Sequence, residues 1–158
     1  MTNALQFRNF QAKDAKIFKS LNIEWLETYF EVEPYDELVL SNPQKEILDP
    51  GGQIFMLLKD NHIIGTFAFI NKGNGVYEFS KMAIKPEERG KGYGNLMMQY
   101  MIQYAIQQQP WKKLILYSNT LLMNSIHLYR KYGFQEVPID PGIQYARGNI
   151  KMEYLLNS

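Results

Sequence analysis

A chain of 158 residues has the size of one domain, and its 17 Lys and Arg against 16 Asp and Glu leave a formal charge of +1. That balance excludes the strongly basic surface of a general nucleic-acid binder. Hydrophobic residues make up 46% and aromatics 14%, which excludes a disordered chain and supplies a core, while the absence of cysteine excludes disulfides, thiolate metal sites and a cysteine nucleophile.

The expected organisation is a single domain over residues 1–158, cytoplasmic, because the first ten residues hold no apolar run long enough for a signal peptide. The uncharged stretch 92–111 has the length of a membrane span. It nevertheless carries five Gln, one Asn, two Gly and a Pro, and Gln99, Gln103 and Gln107 recur at the spacing of a wet helical stripe. No membrane partner is expected.

In chain order, residues 5–9 read as an opening strand. Asp14 is placed to cap a helix whose apolar positions Ile17, Phe18, Leu21, Trp25, Leu26 and Tyr29 follow helical spacing. Residues 34–48 read as short helical turns broken at Asn42-Pro43, because a residue before proline is pushed out of the helical region. After the turn 49–52, the pattern changes to that of strands. Strands 53–59 and 63–71 are joined by a tight Asp60-Asn61-His62 connection, and a turn at 72–75 leads to strand 76–84. A charged connection 86–89 and the glycine-rich run 90–94 precede a helix over about 95–108, stopped by Pro110. A short strand 114–117 and a helix 124–132 follow, the helix terminated by Gly133, which adopts the left-handed conformation without penalty. Strands 135–137 and 149–155, joined by the loop 138–148, end the chain. This order predicts an α+β domain with a mixed, mostly antiparallel sheet flanked by helices.

The most informative segment is Arg89-Gly90-Lys91-Gly92-Tyr93-Gly94, between a strand and a helix. A helix N-terminus carries unpaired N–H groups and partial positive charge, so glycines that let a backbone come close there suit a phosphate-bearing ligand. A plain chain reversal is the alternative. The segment lacks Gly-Lys-Ser/Thr and does not open a βαβ unit, so neither a nucleotide P-loop nor a dinucleotide fold fits. His62 and His127 have no ligand cluster around them for a metal, and no Gly-x-Ser-x-Gly elbow marks a serine hydrolase.

These residues resemble the Gcn5-related N-acetyltransferase (GNAT) family. Its acetyl-CoA signature, Gln/Arg-x-x-Gly-x-Gly/Ala, is matched by Arg89, Gly92 and Gly94, and residues 77–84 are similar to the family's fourth strand. Residues 124–134 resemble its second motif, with Tyr129 four residues before Gly133-Phe134. The resemblance covers roughly residues 53–155 and implies the GNAT acyl-CoA N-acyltransferase fold. It implies acetyl-CoA as co-substrate, lying between the fourth and fifth strands, and an acetyl group passed directly to a small-molecule or peptide amine. The alternatives are a longer acyl group, or a catalytically silent CoA-binding or sensing module.

The resemblance also implies residue roles. The backbone of Arg89, Gly90, Lys91, Gly92, Tyr93, Gly94 and Asn95 takes the pyrophosphate. Met82, with Ala83 and Ile84 beside it, presents a main-chain N–H to the thioester oxygen and pairs with the pantetheine arm. Glu78, eleven residues before Arg89, is the candidate general base, or else a polar residue on a strand face. The carboxylates Glu24, Glu27, Glu31, Glu33 and Asp36 are an alternative source of acceptor binding or deprotonation, or a solvated face. Tyr129 is the candidate acid for the departing thiolate, or an ordinary core tyrosine. Many members carry an Asn where this chain has Leu122, which leaves Asn119 and Asn124 competing for the pantetheine amides, Asn124 also reading as a helix cap. The implied acceptor entrance involves the N-terminal helices, the hairpin and the loop 138–148, in a monomer or homodimer.

Overall fold

The computed structural model describes residues 4–141 and 147–156. The expected elements are all present. They are β1 (Leu5–Asn9), α1 (Ala15–Tyr29), α2 (Pro34–Ser41), β2 (Gln53–Lys59), β3 (His62–Gly73), β4 (Val76–Ile84), α3 (Tyr93–Ile106), β5 (Lys113–Ser118), α4 (Met123–Lys131), β6 (Gln135–Val137) and β7 (Ile150–Leu155). The strands follow the hydrogen-bonded order β1-β2-β3-β4-β5-β7-β6; β1–β2, β2–β3, β5–β7 and β6–β7 pair antiparallel, and β4 runs parallel to β5. The chain divides into two compact units, Met1–Asn71 with Phe79–Arg89 and Lys72–Glu78 with Gly90–Ser158.

In the first unit, α1 and α2 pack on one face of β2 and β3. Phe18 and Leu26 of α1, Val39 and Leu40 of α2, and Ile47 meet Ile54, Met56, Leu58 and Ala68. β2 is buried on its other face as well, where Phe55 stacks on Phe67 at 5.3 Å and Phe67 meets Phe79 of β4 at 5.6 Å, so the strand reads as a continuous apolar run rather than an alternation. The break at Asn42-Pro43 is followed by a π-helical turn, Gln44–Leu48, in which Asp49 N–H donates to Gln44 O at 2.8 Å. The β2–β3 connection is shorter than expected. Asp60 and Asn61, at φ 51° and 69°, form the whole two-residue turn, a left-handed pair that matches strand twist, and His62 already pairs with Lys59.

In the second unit, Val76, Tyr77 and Glu78 of β4 pair in parallel with Lys113, Leu114 and Ile115. Met97, Met98, Met101 and Ala105 form the buried side of α3, and Gln99, Gln103 and Gln107 form its exposed face as the spacing predicted. Tyr77 stacks on Trp111 at 3.7 Å, and Phe134 packs against Tyr154 at 5.6 Å. Gly133 ends α4 at φ 101°, as expected.

Two capping expectations are corrected. Asp14 makes no side-chain cap to α1; its carboxylate accepts the Gln11 N–H at 2.8 Å and a bidentate pair from Arg8 at 2.6 and 3.1 Å, because a 3-10 turn over Ala12–Asp14 precedes the helix. Asn124 is not the cap of α4. That helix begins at Met123 after Leu122, which places Asn124 inside the first turn.

Asp14 is only 2% exposed. Burial pushes its carboxyl up, but hydrogen bonds from Arg8 and Gln11 and the charges of Arg8 and Lys13 outweigh this and hold it below its ordinary value. A lowered folded-state pKa contributes stability that is present above the unfolded value of ~3.9 and lost as pH falls through the folded one. Asp14→Asn is therefore expected to cost about 1–3 kcal/mol at pH 7. In urea titrations followed by circular dichroism, the gap to wild type should narrow as pH falls below the unfolded value and close as it passes through the lowered folded one.

Candidate functional site

Within the first unit, the end of β4 buries Ala83 and leaves its neighbours Met82 and Ile84 half-buried. Immediately before Met82, Lys81 adopts φ 56°, the left-handed region that a non-glycine residue enters at a cost of roughly 1–2 kcal/mol. Lysine carries no signal for it, so sequence reading missed it.

Arg89 closes this unit after a 3-10 turn over Pro86–Glu88. Its guanidinium forms an ion pair with Glu24 of α1 and lies 5.8 Å from the Tyr29 ring centre. Burial pushes the Glu24 carboxyl up, and hydrogen bonds from Arg89 and Thr28 more than reverse that, leaving it below its usual value. The structure therefore brings Glu24 to the first residue of the glycine-rich signature, a pairing across 65 positions with no local sequence signal.

The second unit begins with the glycines. Gly90 and Gly92 stand at φ 78° and 86°, and a Cβ added to either would meet nothing within 4 Å. They are required for their backbone conformation, not for lack of space. Gly92 is the N-cap of α3 and supplies no side-chain cap, so the helix starts at Tyr93, two residues earlier than expected, and Gly94 and Asn95 lie in its first turn. Such a turn attracts an anion through its N–H groups and partial positive charge. The Asn95 side chain is used internally, its Oδ1 accepting from Lys131 Nζ at 2.9 Å and Tyr132 Oη at 3.1 Å. This ties the start of α3 to the end of α4. Lys91 is exposed.

Tyr129 on α4 packs edge-on against Phe134 at 6.2 Å. Burial pushes its phenol up to about 12 against a smaller opposing effect of the Ser125 hydroxyl, so it keeps its proton throughout the neutral range. Glu78, 6% exposed, faces Lys72 Nζ at 3.8 Å, and its charge contributes to raising the Tyr117 phenol, after burial and the hydrogen bond to Asp140. Tyr117 Oη donates to Asp140 Oδ2 at 2.7 Å, and Lys151 Nζ donates to the same oxygen at 2.8 Å. Sequence reading missed this network because it depends on the β5–β7 register that sets Tyr117 beside Lys151.

The two asparagines differ. Asn119 is engaged at both ends, its Nδ2 donating to Arg147 O at 2.6 Å and its Oδ1 accepting from Leu121 N–H at 2.9 Å, whereas Asn124 is exposed. Of the loop 138–148, residues 142–146 lie outside the described residues. No helix among the described residues is long and apolar enough to cross a membrane.

Residues 17–134 match the model of the acetyltransferase (GNAT) family. The chain is 29% identical over 117 residues to an uncharacterised N-acetyltransferase of Schizosaccharomyces pombe, covering 68% of this chain and 70% of that protein. Among solved structures it is similar to a GNAT-family acetyltransferase from Staphylococcus aureus Mu50, with TM-score 0.84 at 16% identity over 98% of this chain and 100% of that one. It is also similar to a spermidine N-acetyltransferase from Vibrio cholerae crystallised with CoA and spermine, with TM-score 0.74 at 23% identity over 96% and 95%.

Lys81→Val should lower stability by about 1–2 kcal/mol, since a β-branched residue fits the left-handed region worst, while Lys81→Gly should retain wild-type stability within about 1 kcal/mol. Thermal melts of both variants check this.

Proposed function

This chain belongs to the acetyltransferase (GNAT) family, and we propose that it transfers an acetyl group from acetyl-CoA to a primary amine by direct attack. The observation that carries the proposal is the turn at Gly90 and Gly92. Two left-handed glycines with open space around them lead into a helix without a side-chain cap, the arrangement that a pyrophosphate requires. Among the similar structures, the spermidine N-acetyltransferase from Vibrio cholerae was solved with CoA and spermine.

In this reading, the N–H groups from Gly90 to Asn95 receive the pyrophosphate, and the pantetheine arm runs past Met82 and Ile84. The incoming amine has a solution pKa near ~10.4, so reaching its neutral form at pH 7 costs about 4 kcal/mol. Glu78 removes that proton, directly or through a water. Nucleophilic attack forms the C–N bond and places negative charge on the thioester oxygen, which the Met82 N–H stabilises. The C–S bond then breaks. Tyr129 donates to the departing sulfur, its raised pKa keeping the phenol protonated. Full proton transfer to a free thiolate of pKa ~8.5 is uphill by roughly three to four units, so the phenol acts by hydrogen bonding and solvent completes the protonation.

Of the two asparagines, Asn124 is the better candidate for the pantetheine amides, since Asn119 is already bonded at both ends. Titration calorimetry with acetyl-CoA, followed by release of free thiol across a panel of amines, tests the reading. Binding at micromolar concentration with amine-dependent release supports it. Binding without release identifies a silent CoA-binding module, and no binding overturns the cofactor.

Gly92→Glu should abolish CoA binding in that calorimeter, because it brings a carboxylate and a disfavoured φ to the phosphate site. Tyr129→Phe should leave CoA affinity near normal and reduce kcat by about a hundredfold or more, measured by steady-state thiol release.

A further inference from the structure

The phosphate-binding turn is built from residues that do little to hold their own shape. Gly90 and Gly92 sit in left-handed conformations with no neighbour close to where a side chain would be, and glycine loses more conformational freedom on ordering than any other residue. A ligand that must order such a turn binds more weakly than one that finds it already formed. The downstream end is held by α3, whose Asn95 is bonded to Lys131 and Tyr132. The upstream end depends on Arg89, adjacent to Gly90.

Arg89 is fixed by one carboxylate. Its Nη2 donates to Glu24 Oε1 and its Nη1 reaches Glu24 Oε2 at 3.5 Å, a fork on both oxygens, while the guanidinium stands over Tyr29 one turn further along α1. Glu24 is itself braced, since Thr28 Oγ1 donates to Glu24 Oε2 at 2.9 Å and lies 2.8 Å from Glu24 O. α1 is in turn anchored in the core by Phe18 and Leu26. A chain of contacts thus runs from a packed helix to the residue that begins the glycine turn. We propose that Glu24 is a positioning residue for acetyl-CoA binding, which through Arg89 presets the turn at Gly90 to Gly92 and takes no part in binding or deprotonating the acceptor. The inference rests on the acetyl-CoA reading above.

The test compares CoA affinity by calorimetry with steady-state kinetics in the full chain. The pair is partly exposed, with Arg89 and Glu24 side chains at 24% and 38%, so the effect is moderated by solvent. Glu24→Gln should weaken CoA binding and raise the acetyl-CoA KM by about three- to tenfold, with kcat and the amine KM within about twofold of wild type. Glu27→Gln, which removes the same charge from an exposed position of α1, should leave CoA affinity unchanged. In an Arg89→Ala background, Glu24→Gln should cause no further loss, the non-additivity of residues that act as one unit. Arg89→Lys keeps the charge and loses the fork, and should reproduce the affinity loss should Glu24→Gln fail to fold in a thermal melt.

Unchanged CoA affinity in Glu24→Gln, with wild type binding normally, overturns this inference alone. A loss that falls on kcat or the amine KM, with acetyl-CoA KM unchanged, also overturns it and returns Glu24 to the acceptor. A wild-type protein that binds no CoA overturns the cofactor reading and this inference with it.

Discussion

A helix that begins without a side-chain cap is the constraint on which this molecule turns. The first N–H groups of α3 lie in a turn that Gly92 leaves uncapped, and unpaired backbone donors are stable only where water or an anion satisfies them. Glycines precede that turn, the Asn95 side chain in it is bonded to Lys131 and Tyr132, and the Arg89 side chain is bonded to Glu24.

The groups proposed as base and acid differ in exposure. Glu78 is buried and Tyr129 half-buried. The tyrosine is raised by burial and therefore stays a donor, while the carboxylate keeps a lysine at 3.8 Å.

Much of the fold was legible because hydrophobic period and turn chemistry are local. The bounds of β1, β2, β4 and β6 were read to the residue, and Gly133 stops α4 for the reason its type suggests. The candidate site was legible only as far as Arg89, Gly92, Gly94 and Tyr129 carry it in sequence, since their spacing is a local pattern. The partners of those residues were not. Glu24 stands 65 positions from Arg89 and was grouped with four other carboxylates of the N-terminal helices. Asp14 looked like a helix cap and is bonded to Arg8 and Gln11, because the 3-10 turn over Ala12–Asp14 sets its carboxylate against the Gln11 N–H ahead of α1. The left-handed Lys81 had no signal at all, since lysine is not among the residue types that favour that region.

The segment between β6 and β7 enters and leaves through ties to β5 and its continuation. Asp140 is held by Tyr117 and Lys151 on one side. On the other, Arg147 O is held by Asn119 and the Asn149 carboxamide by the Thr120 N–H. The β5–β7 pair is thus clamped by side chains at its Ser118–Ile150 end as well as by its ladder, so a slip of register between these two strands would break polar bonds along with backbone ones.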